Sequence, residues 1–144
     1  MRALPLCCWV LAGCWYGPEV GQEQMQMLSP DGGRMMTFGE LMTEVLVPSC
    51  AGSFCHKPDP PPAAPMSLEP AVAYRELVGA TSDQHPTMLR ITPMDPANSW
   101  VMVKVKGDLA TAHGTTRMPL NKPPLSDAHL EQLELWILRG APND

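Results

Sequence analysis

Four stretches of the chain place apolar side chains at helical intervals, with proline and glycine between them. In the first, Phe38, Leu41, Met42, Val45 and Leu46 recur at i, i+3, i+4, i+7 and i+8, the spacing that lines one face of a helix. Thr37 and Glu40 open it as a Thr-x-x-Glu capping box, each side chain accepting from the other residue's free backbone N–H. Pro48 is expected to stop this helix just ahead of Cys50. A second helix is expected to open at Glu69-Pro70, where the missing N–H of proline costs nothing, and to carry Val72, Tyr74, Leu77 and Val78 before Gly79 ends it. The third runs from Trp100 to Lys106 and closes at Gly107. Its alternating Val101, Val103 and Val105 also fit a strand, but no neighbouring stretch offers a strand partner, so a helix is expected. Ser126 caps the fourth, with Leu130, Leu133, Trp136 and Ile137 as its apolar stripe, Glu131, Gln132 and Glu134 on the wet side and Gly140 as terminator.

The connections are long. Lys57 to Pro65 holds five prolines and is expected to form a stiff polyproline-like loop. Thr81 to Pro96 and Asp108 to Pro124 also read as irregular. A chain of 144 residues supports one domain with a modest core. The formal charge of −5 gives no basis for a nucleic-acid surface, and no run of 18 apolar residues suggests a spanning helix.

The N-terminus changes the picture. Met1-Arg2 is a minimal basic region, Ala3 to Val10 a short apolar one, and Leu11-Ala12-Gly13-Cys14 matches a bacterial lipobox. Residues 1–13 are therefore expected to be a lipoprotein signal peptide, with Cys14 diacylated, residues 14–34 a flexible tether and residues 35–144 the folded domain. The protein is expected to be exported and lipid-anchored on the periplasmic or cell-surface side of a bacterial membrane, because two acyl chains suffice for stable anchoring.

Cleavage at that site removes Cys7 and Cys8, and the lipid occupies Cys14, which leaves Cys50 and Cys55 as the thiols of the mature chain. His56 follows directly. Two cysteines and an adjacent histidine are the signature of covalent haem attachment, in which each sulfur joins a vinyl group and the imidazole reaches the iron. Four residues separate the cysteines here instead of two, so both sulfurs meet one haem edge only if the loop bulges, most cheaply at Gly52 and Ser53. No second motif of this kind occurs, so one haem per chain is expected.

The order of several segments resembles class I c-type cytochrome domains, and especially the bacterial, membrane-tethered variants with widened cysteine spacing. The residues concerned are Cys50-x4-Cys55-His56, Ala73-Tyr74-Arg75-Glu76-Leu77-Val78, Arg90 through Ser99, Lys104-Val105-Lys106-Gly107, Met118-Pro119 and Trp136 through Ala141. The likeness spans about residues 37–142 and departs from the commonest pattern in the cysteine spacing and at Met94, where glycine is frequent. It implies an all-α, cytochrome c-like fold of about four helices with long Pro-rich loops around one haem. It also implies haem c as cofactor, His56 as proximal iron ligand and Met118 as distal ligand. The loop position of Met118, the stiffening Pro119 and the soft thioether fit that role independently. Met88, Met94 and Met102 compete for it, and His113 would give a bis-histidine site; His85 and His129 read as surface residues. Phe38, Leu41, Val45, Leu68, Leu133 and Trp136 are expected to wall the porphyrin off from water.

A six-coordinate iron leaves no open position, so the expected role is electron transfer, not catalysis, to redox partner proteins, by a monomer. Two alternatives stand beside it. One is a haem enzyme or sensor with an open distal site, served by His113. The other is a non-haem lipoprotein in which Cys50 and Cys55 form a disulfide or, with His56, hold zinc.

Overall fold

The computed structural model describes residues 33–52, 55–57, 66–108 and 115–144. The expected signal peptide, the lipidated Cys14, nearly all of the tether, most of the Pro-rich loop, Ser53 and His113 lie outside the described residues. Among those residues the fold is helical, and extended backbone contributes only isolated bridges.

Thr37 caps helix α1 (Phe38–Glu40) through the expected capping box, its hydroxyl accepting from the Glu40 N–H and the Glu40 carboxylate accepting from the Thr37 N–H at 2.8 Å. Arg34 pairs with the same carboxylate and, with Thr37, holds it near pKa 2. The helix does not stop at Pro48. It widens into a π-helix over Leu41–Leu46 and continues as α2 (Val47–Cys50), with Pro48 in the first turn of α2. The Val47 N–H reaches back five residues to the Met42 carbonyl, and the wider turn gives the proline ring room that a regular turn denies it. The cysteine is thus delivered at a helix end and not on a separate loop.

Helix α3 (Ala73–Leu77) is shorter than the sequence suggests, because Pro70 to Val72 form a turn whose Val72 and Ala73 N–H groups both donate to the Glu69 carbonyl. Helix α4 (Trp100–Lys106) has the expected bounds, and Gly107 ends it at φ +76°. Ser99 makes no side-chain cap. Instead the Trp100 and Val101 N–H groups donate to the carbonyls of Leu89 and Arg90, so an extended segment caps the helix. Helix α5 (Asp127–Leu138) is capped by Ser126, whose hydroxyl accepts from the His129 N–H.

The core forms where the π-helix meets α5. Leu41, Val45, Leu133, Trp136 and Ile137 are fully buried. Phe38 stacks on Trp136 at 5.4 Å and meets Tyr74 edge-on at 5.3 Å. Both polar tips are satisfied: the Tyr74 hydroxyl donates to the Ala141 carbonyl and the Trp136 Nε1–H to that of Pro142. No helix among the described residues is long and apolar enough to cross a membrane.

Candidate functional site

A cleft opens beside this core, between the end of α2, α4 and the loops around residues 66–68, 82–84 and 118. Its cavity volume is about 100 Å³, opening into a wider mouth continuous with solvent. Leu46, Met66, Leu68, Leu77, Val101 and Val105 make most of its wall. Of the six residues expected to form that wall, only Leu68 does so. The others sit in the main core, because the π turn and α5 draw them towards Trp136.

Cys50, His56 and Met118 all line this cleft. Cys50 and His56 belong to one short stretch and Met118 to a distant one, and backbone bonds explain how each arrives. Cys50 ends α2. The His56 N–H donates to the Cys50 carbonyl at 3.2 Å and the Cys55 N–H to the Gly52 carbonyl at 2.9 Å. The first of these bonds holds the Cys50 and His56 backbones side by side despite the widened spacing. Cys55 is not among the residues lining the cleft; its Sγ lies against Gly52, 3.5 Å from where a Cβ there would stand. Both thiols are free.

The His56 ring is oriented by a carbonyl. Its Nδ1 lies 3.2 Å from the Met66 carbonyl oxygen, which only accepts, so Nδ1 carries the proton and Nε2 keeps its lone pair. Burial, aided by the Arg90 charge and opposed by the Met66 bond, pushes the imidazole pKa below its ordinary value and favours the neutral, ligating form. Burial likewise pushes the Cys50 thiol up to about 11, partly offset by the Lys122 ammonium.

Met118 is held from both sides. Its N–H donates to the Lys104 carbonyl at 2.9 Å, near the open end of α4. Lys122, four residues on, donates from Nζ to the Ser49 carbonyl at 3.2 Å and so ties the methionine loop to the cysteine-bearing helix. The peptide bond between Met118 and Pro119 is cis. The rival methionines are elsewhere: Met102 is in the core, Met88 packs on Trp100 and Val103, and Met94 is 73% exposed. His129 sits half-buried in the first turn of α5. His85 is not a plain surface residue, since its ring lies 5.1 Å from that of Trp100.

The role of the Met66 carbonyl and the residues Arg90 and Lys104 escaped the sequence reading. Met66 acts through its backbone, which leaves no trace in residue type. Arg90 and Lys104, both buried, add positive charge to a wall that also carries Ser82, Asp83 and Gln84. For Lys104 a signal existed: it lies three and one residues from Val101 and Val105, so it shares their helical face and breaks an apolar stripe. Among the described residues no group of three or more His, Cys, Asp or Glu side chains could hold a bare metal ion.

No protein family, curated protein or solved structure matches the chain.

Proposed function

We propose that the protein is a monohaem c-type cytochrome, a membrane-tethered electron carrier with a cytochrome c-like fold. Cys50 and Cys55 would join the porphyrin through thioether bonds, and His56 through Nε2 and Met118 through its sulfur would ligate the iron. The observation that carries the reading is the His56–Met66 bond inside an apolar cleft that also receives Cys50 and Met118. A metal-ligating histidine generally donates its other ring N–H to a carbonyl or carboxylate, which sets its tautomer and orientation.

Cys50, His56 and Met118 fit the group, whereas Cys55, its sulfur against Gly52, does not line the cleft. A haem iron needs only two protein ligands, so the lack of a three-residue cluster among the described residues is no obstacle. The cleft supplies one imidazole and one thioether within largely aliphatic walls. Bound haem would supply one-electron iron chemistry, and the thioether ligand favours a higher potential than two imidazoles. The chain's own part is to hold both ligands, keep the imidazole neutral and exclude water with Leu46, Leu68, Leu77 and Val105. A lipid on Cys14 would keep the carrier near anchored redox partners and raise their effective concentration.

The test is expression in a host competent for cytochrome c maturation, followed by absorption spectroscopy, in-gel haem staining and intact mass. We expect a red protein whose mass exceeds that of the chain from Cys14 by one haem and one lipid modification. A colourless product with its sulfurs free or joined to each other would overturn the assignment.

A further inference from the structure

Lys104 is 6% exposed and lines the cleft from the same face of α4 as Val101 and Val105. Its Nζ donates to the Thr115 hydroxyl at 3.0 Å and lies 5.8 Å from the centre of the Trp100 ring. A hydroxyl dipole and an aromatic face are weak substitutes for an anion, and no carboxylate among the described residues forms an ion pair with it. Arg90, on the same cleft, shows the contrast. It is 8% exposed but bonded to the Glu76 carbonyl at 2.7 Å and paired with the Glu76 and Asp83 carboxylates. Its charge is already matched within the fold.

A buried ammonium without a counter-charge is costly, and chains keep such groups where a partner arrives. We infer that Lys104 receives a carboxylate of the bound haem, so that α4 recognises the acidic edge of the porphyrin while His56 and Met118 hold its iron. The inference rests on the haem reading above. It adds what that reading leaves open: which chain residue meets the acidic edge of a ring whose vinyl groups the cysteines would hold. Arg90 is ill suited, because a haem carboxylate there would have to compete with Glu76 and Asp83. Thr115 then acts as a second donor or as a prop for the lysine, and Trp100 covers the ammonium from the side.

The experiment uses holoprotein carrying haem isotopically labelled at its propionate carboxyl carbons. Redox-induced infrared difference spectra are recorded for the wild type, Lys104→Met and Lys104→Arg. A carboxylate bonded to the ammonium should give a label-sensitive band that shifts in Lys104→Met and, by a different amount, in Lys104→Arg, which keeps the charge and is the variant expected to accumulate if the first does not. Red protein whose labelled band is the same in the wild type and every variant obtained would overturn the inference and leave the haem assignment standing. Colourless wild-type protein would overturn both.

Discussion

At His56 a carbonyl ten residues away decides which ring nitrogen is left bare, and no substitution of the Met66 side chain removes that acceptor. Met118 is different, because its contribution would be the side chain itself. Leucine keeps the bulk and loses the sulfur. Met118→Leu should therefore yield a red protein that binds carbon monoxide when reduced, whereas the wild type should not. Spectrophotometric titration with the gas checks this, and tight binding by the wild type would instead indicate an open distal position. Glu40 offers a test at the same scale without the cofactor. Its carboxyl falls from the ordinary 4.5 to about 2 in the folded chain, through bonds to Arg34 first and then Thr37. The unfolded chain thus binds more protons between those values, and stability rises with pH there. The contribution is complete above about 4.5 and is lost as pH falls towards about 2. Thermal unfolding at a series of pH values should show a shallower acid limb for Glu40→Gln, and the difference should shrink in salt because the pair is exposed.

Among the elements, the composite helix from Phe38 to Cys50 departs most from expectation. Its apolar register is plain in the residues, and so is its capping box. That Pro48 lies inside it is not, because the usual conflict of proline with the preceding turn is relieved by a local π geometry that propensity does not encode. Helices α4 and α5 were legible to within a residue, since Gly107 at φ +76° and Gly140 at φ +98° end them where the periodicity stops. For α5 the cap is separable from the packing. Ser126→Ala removes the oxygen that accepts from the His129 N–H and should cost about 1 kcal/mol in denaturant unfolding. The absorption spectrum should not change, because α5 lines no part of the cleft.

For the whole molecule, one hydrophobic cluster serves both interiors, since Leu46, Leu68, Leu77 and Val105 belong to it and also line the cleft. Its members nevertheless divide by which interior they face. Leu41, Val45, Leu133 and Trp136 belong to the core around α5, while the cleft is walled by residues from the end of α2, α3, α4 and the loops. Leu133→Ala should therefore destabilise by about 2–5 kcal/mol through the cavity it leaves, measured by equilibrium unfolding. The ligands of the folded fraction should be unchanged by the same spectroscopic criteria. That division explains why the wall was misread. Periodicity shows that Phe38, Leu41, Val45, Leu133 and Trp136 are buried, but not which interior they enter.

Local rules were enough for the helices and their caps, because an i, i+4 spacing, a Thr-x-x-Glu box or a glycine at positive φ acts within a few residues. Of the neighbouring Cys50, Cys55 and His56 that the sequence singled out, Cys50 and His56 line the cleft and Cys55 does not. Long-range packing decided the rest. It brought Met118 and Cys50 to one cleft through Lys122, aligned His56 on the Met66 carbonyl and left Lys104 inside the cleft wall without a carboxylate partner among the described residues. Those pairings join residues whose meeting depends on backbone bonds formed only when loops close, and residue type carries no record of them.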